Sequence, residues 1–223
     1  MWSICAFVDF TNTITHMKNL KLLLLALFAL TGGFLTGCDD DDDENTTETV
    51  FEIDDSVDGV RTITITDNGE GLGDGYTMVP QQDGRDVVYL LDNFVFVNEG
   101  QTITIEPGAV IKGTPGEGEN ASALIIARGG SCNCAGTAAD PIIFTAQADQ
   151  LDGSYPVNQR GQWGGLIILG NAPSNRTSGT GAIEGIPEEE TRGQYGGTNA
   201  GDNSGTYRYI SIRHGGTNIG ADN

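Results

Sequence analysis

Short alternating runs of apolar and polar residues, separated by glycine-rich turns, constrain the fold of this chain more than any other feature of its sequence. Each run supplies only two or three residues to a buried face, as Ile103 and Ile105 do in the run TITI. In the last run, YRYISIR, the same alternation predicts that Ile210 and Ile212 point inward and that Tyr209 points outward. No stretch after residue 60 shows the period of an amphipathic helix. The predicted strands are residues 61–66, 87–91, 94–97, 102–105, 110–112, 123–127, 141–145, 165–169 and 207–213.

The turns and the spacing between these runs favour a coil of strands over a pair of packed sheets. Clusters of turn-forming residues at 98–100, 106–108 and 214–216 separate the runs. The aliphatic runs recur at intervals of about 20 residues, which fits one turn of a parallel β-helix. A β-sandwich would instead place hairpin turns such as Asn-Gly about every 8–12 residues, and none joins two central runs here. The sequence therefore predicts an all-β, single-stranded parallel β-helix over residues 61–223.

The segment that begins at Met17 predicts export from the cytoplasm. Lys18 and Lys21 precede a short apolar core at residues 22–30, which is shorter than the about 20 residues of a membrane span. The core leads into Leu-Thr-Gly-Cys, which ends at Cys38. This ending resembles the lipobox of bacterial lipoproteins, in which the cysteine is acylated and becomes the first residue of the mature chain. The resemblance implies that Cys38 carries lipid and that the membrane is a partner through this anchor.

The chain on either side of this signal has its own predicted roles. Residues 1–16 contain Asp9 and no lysine or arginine, so we expect translation to begin at Met17 and residues 1–37, prefix and signal helix, to be absent from the mature protein. Residues 38–60 are predicted to be a disordered acidic tether, because residues 39–44 are all Asp or Glu. Acids directly after a lipidated cysteine resemble the export signal of surface lipoproteins, whereas aspartate at the second mature position resembles inner-membrane retention. We favour the outer membrane, facing the cell surface.

Several stretches of the predicted coils resemble one family of proteins. GQTITIEPGAVIKG, at residues 100–113, resembles a coil of right-handed parallel β-helix surface proteins, and the pattern continues at residues 123–130, 135–146, 163–173 and 207–216. Together these stretches resemble a family of exported bacterial β-helix lipoproteins with a pectate-lyase-like fold. The resemblance covers residues 87–223 and implies a right-handed coil. Because the pattern stops at Asn223 without a recognisable cap, we expect the β-helix to be incomplete at its C-terminus.

Charge and motifs exclude several classes of function. The chain has 11 Lys and Arg against 31 Asp and Glu, a formal net charge of −20, which excludes nucleic acid as an expected partner. No serine lies in a G-x-S-x-G nucleophile elbow. The glycine-rich residues 69–75 lack the βαβ context of a dinucleotide fingerprint. We therefore predict no catalytic residue and no resident cofactor.

Two groups of residues are candidates for metal binding, although we predict no metal site. Cys132 and Cys134 share one face of a strand, which favours a pair of small core residues; zinc would need further ligands, and His214 is the only histidine of the mature chain. His214 precedes Gly-Gly and is predicted to be a corner residue, with a general base or a ligand as the alternative. A Ca²⁺ site is the second candidate. Its carboxylates would come from residues 188–190 together with Asp149, Asp152 and Asp202.

Four aromatic residues are candidates for contact with a glycan, because their flat apolar faces suit the stacking of sugar rings. Packing at the corners of the coil is the alternative for each of them. The candidates are Trp163, Tyr195, Tyr207 and Tyr209. The favoured function is accordingly a non-enzymatic surface lipoprotein whose β-helix binds a glycan or a surface protein.

The alternative function is a polysaccharide-active lyase or hydrolase. The resemblance implies a fold that often cleaves acidic glycans, with carboxylates that hold Ca²⁺ and a basic residue that abstracts a proton. Lys112 is the only lysine of the mature chain, and Arg213 is the outward base nearest a strand edge, but no set of carboxylates flanks Arg213. A chain this acidic also repels a polyanion unless Ca²⁺ bridges the two. We therefore expect a binding protein rather than an enzyme.

Overall fold

The computed structural model describes residues 48–187 and 189–220, which fold almost entirely as strands and turns. The predicted signal, Cys38 and the acidic run at 39–44 lie outside the described residues. Two short 3-10 helices, Gly118–Asn120 and Thr191–Gly193, lie in loops, and no described helix is long and apolar enough to cross a membrane. The strands are β1 (Val50–Asp54), β2 (Val60–Thr66), β3 (Thr77–Met78), β4 (Gln81–Gln82), β5 (Arg85–Asp92), β6 (Phe94–Val97), β7 (Thr102–Ile105), β8 (Val110–Gly113), β9 (Ala123–Ile126), β10 (Ser131–Ala135), β11 (Ile142–Ala146), β12 (Gly165–Ile168), β13 (Gly181–Ala182), β14 (Gln194–Tyr195), β15 (Gly205–Arg208) and β16 (Ile210–Ile212).

Three sheets run along the molecule, and successive turns of the chain add strands to each of them. Sheet A contains β2, β5, β8, β11 and β16 in parallel order. At its start, β1 pairs with β2 and β4 pairs with β5. Sheet B contains β3, β7, β10 and β15, and sheet C contains β6, β9 and β12, again all parallel. The chain therefore passes from sheet A to sheet C to sheet B and back to sheet A. This path confirms the predicted all-β class and the parallel β-helix architecture.

The core is a column of apolar side chains that point into the coil in register. Ile111 of β8 lies opposite Tyr89 of β5 on one side and opposite Phe144 of β11 on the other, and all three are buried. Ile103 and Ile105 of β7 are buried in the same cluster, as predicted. Because neighbouring strands lie about 4.8 Å apart, each inward side chain packs directly on the one in the next coil.

In a second inward column the side chains become smaller along the stack, and this leaves space for a tryptophan. Its members, in order along the stack, are Ile65, Leu91, Gly113 and Ala146. A Cβ added at Gly113 would lie 2.7 Å from the Cβ of Trp163, so the small residue makes room for the indole. The Trp163 ring is completely buried and stacks nearly parallel to Phe144, with ring centroids 6.5 Å apart.

The last predicted strand, residues 207–213, is two strands in the structure. Tyr209 has a φ of 48° and makes a corner, so β15 ends in sheet B and β16 begins in sheet A. Ile212 is in register with Phe144, as its predicted inward direction requires, yet it is 53% exposed. The expectation that Ile212 is buried is wrong, because β16 is an edge strand and no described strand packs beyond it.

Two antiparallel pairings lie at the start of the coil and are not among the predicted strands, although the Asp-Gly pair at residues 83–84 is a hairpin signal. β4 and β5 are joined by Asp83 and Gly84, whose φ angles of 54° and 77° suit a two-residue hairpin turn. β1 pairs antiparallel with β2 and lies within residues 38–60, which the sequence assigned to the tether. All of β1 is exposed, so it has no buried face that would mark it as a strand.

The segment between β12 and β15 is an insertion that covers the outer face of sheet C. Phe96 and Ile125 point out of the coil and form a second small core with Leu169. β9 is therefore buried on both faces, which accounts for its non-alternating sequence ALII. After the insertion the chain rejoins sheet B in register, with Gly205 opposite Cys132.

Arg192 fastens this insertion to the coil. Its guanidinium lies 2.9 Å from the fully buried carboxylate of Asp67 and 3.9 Å from the centre of the Phe96 ring. It also donates to Glu190, and this hydrogen bond holds the pKa of Glu190 below its usual value. The arginine thus neutralises a carboxylate that has been removed from water.

Candidate functional site

An open cleft of about 740 Å³ crosses the outer face of sheet A. Outward-pointing residues of β5 and β8 make its floor: Val88, Leu90 and Val110, with Thr62 of β2 next to Val88. These side chains are only partly buried, although outward positions on a strand that faces water are usually polar. The cleft therefore combines an aliphatic floor with a volume inside the range of about 300–1,000 Å³ that is typical of ligand sites.

The two sides of the cleft differ in chemistry. Asp86 and Asp140 line the side at which the strands of sheet A begin, and both are exposed. Gln147 and Gln150 line the side at which β11 ends, and both are exposed as well. One side is therefore acidic, whereas the other is uncharged and its amides both donate and accept hydrogen bonds.

Leu151 completes the amide side and has an uncommon backbone conformation. Its φ is 62°, in the left-handed region that a bulky side chain rarely occupies. The Leu151 N–H donates to Oδ1 of Asp149 at 2.9 Å, and Oδ2 of Asp149 accepts the Thr145 hydroxyl at 2.7 Å. Asp149 therefore makes an Asx turn that holds this loop against sheet A and fixes the cleft wall.

Lys112 lies at the end of the floor, in the same outward row as Leu90, and is only 9% exposed. Its Nζ donates to the backbone carbonyl of Asp149 at 2.6 Å. Burial lowers the pKa of Lys112, and the nearby Asp149 carboxylate opposes part of this effect. Among the described residues that line the cleft, Lys112 is the only cation, and it is directed at the loop rather than at the open space.

His214 packs against the same loop from beyond the strand ends. Its φ of 59° places it at a corner of the coil, as predicted. Its Nδ1 donates to the carbonyl of Gln159, and its Nε2 lies 3.8 Å from Oδ2 of Asp149. The ring meets Tyr155 edge-on, with centroids 4.9 Å apart. The backbone of His214 thus forms a corner of the coil, and its side chain holds the loop that contains Asp149.

The Asp149 carboxylate is occupied within the fold. Burial alone would raise its pKa, but the hydrogen bonds from Thr145 and Leu151, together with the electrostatic interactions with His214 and Arg213, outweigh that effect and hold the pKa below its usual value. The Thr145 hydroxyl is likewise buried and directed at Asp149. The cluster therefore shapes the wall of the cleft, and its hydroxyl and carboxylate satisfy each other instead of facing the floor.

The four aromatic residues predicted to contact a glycan do not line the cleft. Trp163 is completely buried, and its indole N–H donates to a backbone carbonyl at 2.8 Å, so a sugar ring cannot reach it and this part of the prediction is wrong. Tyr207 is partly buried against the core, and the Tyr195 hydroxyl accepts a hydrogen bond from Arg176. Tyr209, which is 58% exposed, stays a candidate.

The cysteines and carboxylates considered for metal binding serve the fold. Cys132 and Cys134 are buried and unpaired in β10, which confirms that they are small core residues. The hydrogen bond with Cys134, and then burial, raise the pKa of the Cys132 thiol. Asp152 and Asp202 each accept a backbone N–H. In the part of the chain that the structure describes, no three His, Cys, Asp or Glu side chains gather as metal ligands. Glu188 lies outside it, and the Ca²⁺ site stays an untested alternative.

The cleft is not among the features predicted from the sequence, although one signal of it is present. The run VVYLL is apolar at outward as well as inward positions, so Val88 and Leu90 mark an outer face that is not simply solvated. The contact between Lys112 and Asp149 joins residues 37 positions apart and has no local signal at all.

The comparison with known proteins gives one match. Residues 82–223, more than half of the chain, match a family model described as a pectate-lyase like beta helix domain. No curated protein and no solved structure gives a significant match. The matched segment contains β5 to β16 and thus Val88, Leu90 and Val110 of the cleft floor.

Proposed function

Because the chain belongs to the pectate-lyase-like β-helix family, we propose that it is a surface lipoprotein whose β-helix is a scaffold for binding or adhesion. The observation that carries the proposal is the cleft on sheet A, with its partly exposed aliphatic floor of Val88, Leu90 and Val110. Aliphatic side chains gathered in a concave site mark a place where a partner binds. The coil is taken to be right-handed, as crossovers between parallel strands almost always are.

The proposed anchor is a lipid on Cys38, followed by an acidic tether that ends before β1 begins at Val50. The positive charges of Lys18 and Lys21, the apolar core and the sequence Leu-Thr-Gly-Cys support it. Several acyl chains bind a membrane firmly, since each buried CH₂ contributes about 0.8 kcal/mol. The tether then places the β-helix outside the outer membrane, where a surface partner is accessible.

In cells that make the full-length protein, we expect radiolabelled palmitate to enter the parent chain and to be absent from the Cys38→Ser variant. Cys5→Ser is the matched control, because Cys5 lies in the expected upstream prefix, and it should be labelled like the parent. Protease treatment of whole cells should remove the β-helix if it faces outward. Equal labelling of Cys38→Ser and the parent, or a mature chain that begins at Met1, would contradict the anchor.

A charge placed on the floor of the cleft should weaken binding strongly. On arrays of acidic oligosaccharides, neutral oligosaccharides and peptides, we expect Val110→Glu to weaken the binding of the full-length chain by about tenfold or more, because a carboxylate would have to lose water among aliphatic side chains. Val157→Glu is the matched control, since Val157 is 97% exposed and lies outside the cleft. The scaffold proposal fails if the parent binds nothing on the arrays or if the two variants behave alike.

The alternative is a polysaccharide-active enzyme, and one observation favours it. Lys112 lines the cleft and lies beside Asp149, so a basic and an acidic group occur together at its end. Both groups are nevertheless occupied by hydrogen bonds within the fold. Incubation of the full-length chain with acidic and neutral glycans, with and without Ca²⁺, separates the two functions. New reducing ends or unsaturated uronates would establish the enzyme and overturn the scaffold.

A further inference from the structure

The charges around the cleft discriminate among ligands. Asp86 and Asp140 are exposed, and neither forms an ion pair within the described part of the chain. Each accepts a hydrogen bond from a neutral side chain, so its charge is not compensated. Among the described residues of the lining, the one cation is Lys112, which is buried and donates to the loop. A ligand therefore meets a negative surface on a chain of net charge −20, which attracts cations and repels anions.

The floor discriminates in a second way, because it is aliphatic. Among the described residues, no aromatic side chain lines the cleft, so a sugar ring finds no flat face on which to stack. Val88, Leu90 and Val110 instead offer a patch of branched side chains, which suits other branched aliphatic groups that leave water on binding.

The uncharged side of the cleft supplies a third constraint. Gln147 and Gln150 are exposed there, and each amide has both donors and an acceptor. The backbone N–H and C=O groups of an extended peptide are hydrogen-bonded to water before the peptide binds. On binding they lose these hydrogen bonds and must form new ones with the protein. Paired glutamine amides match this alternation of donors and acceptors.

From these three features we infer that the cleft binds an extended peptide segment in which aliphatic side chains lie beside lysine or arginine. This inference rests on the proposed function, since it names the partner of the same site. The aliphatic side chains lie on the floor, the backbone faces Gln147 and Gln150, and the cations face Asp86 and Asp140. The partner is thus a basic, aliphatic stretch of another protein rather than an acidic polysaccharide.

The test measures the binding of defined probes to the full-length chain by calorimetry. The probes are the capped peptides KVLVK, EVLVE and KSGSK, a neutral glucan hexasaccharide and an oligogalacturonate. We expect KVLVK to bind at least tenfold more tightly than any other probe and to lose affinity as salt is raised, because ions screen the contacts with the carboxylates. Asp86→Asn/Asp140→Asn should reduce the affinity for KVLVK at least fivefold and flatten its salt dependence. Glu119→Gln, an exposed charge outside the cleft, is the control and should change neither.

The outcomes separate this inference from the function on which it rests. If EVLVE or a glycan binds more tightly than KVLVK, and Val110→Glu abolishes that binding, the inference is overturned and the scaffold stands. The inference is also overturned if KVLVK binds but Asp86→Asn/Asp140→Asn has no more effect than Glu119→Gln. If no probe binds, or if Val110→Glu leaves binding unchanged, both the inference and the scaffold site are overturned.

Discussion

Replacement of Arg192 by methionine is expected to lower the free energy of unfolding of the full-length chain by about 3–5 kcal/mol. Methionine keeps an apolar stem over Phe96 but removes the cation that faces Asp67. The Asp67 carboxylate is fully buried, and its remaining partners are backbone N–H groups. An unpaired charge is then left away from water, which costs more than the intact ion pair itself contributes.

Urea denaturation followed by circular dichroism measures this loss, and limited proteolysis shows whether the insertion between β12 and β15 opens first. Arg176→Met is the matched control, because Arg176 lies in the same insertion but is exposed, and its contacts with Tyr195 are a hydrogen bond and a ring 5.7 Å away. We expect the control to change the free energy of unfolding by at most about 0.5 kcal/mol. Similar losses in the two variants would show that Arg192 does not fasten the insertion.

Replacement of Trp163 by alanine is expected to be equally damaging, with a loss of about 3–5 kcal/mol. The indole is completely buried, and both Gly113, against which it packs, and Ala146, the next residue of the narrow column, are too small to fill the space that it would leave. The substitution also removes the stacking on Phe144 and leaves the Arg213 carbonyl without its indole donor. A cavity and an unsatisfied acceptor therefore arise together.

Thermal denaturation followed by circular dichroism compares this variant with Tyr209→Ala. The sequence predicts contact with a glycan for Tyr209 as it does for Trp163, but Tyr209 is 58% exposed at a corner. We therefore expect Tyr209→Ala to change the free energy of unfolding by less than about 1 kcal/mol. Trp163→Phe should fall between the two, since it keeps a ring but not the hydrogen bond. A stable Trp163→Ala variant would mean that the column does not depend on this side chain.

The stacked core could be predicted because its signal is local. Alternation with a period of two marks Ile103 and Ile105 within four residues of sequence, and the bounds predicted for β6 and β7 are those of the structure. The same reasoning fails for Ile212, whose direction follows from alternation but whose burial depends on whether another coil packs beyond it. The direction of a side chain is set by its own strand, whereas its burial is set by the strands that pack against it.

The cleft and the insertion could not be predicted because their contacts join distant parts of the chain. Arg192 meets Asp67 across 125 positions, and Lys112 meets Asp149 across 37. A charged residue gives no sign in the sequence of whether it will face water or a partner from another coil. The same ambiguity holds for aromatic residues, because an aromatic ring suits a binding surface and a core equally well. The prediction that Trp163 contacts a glycan is therefore wrong, since its ring is buried in the core.

The return of the chain to sheet B at Gly205 has a consequence for how the sequences of such proteins evolve. A Cβ there would lie 2.1 Å from the Cys132 carbonyl, so the residue lets the two backbones meet closely where the long excursion after β12 ends. The excursion thus leaves and re-enters the coil without shifting the pairing of any strand. Related proteins can therefore lengthen, shorten or exchange such insertions without changing the stacked strands of the coil. The surface that recognises a partner can then diverge while the architecture is inherited unchanged.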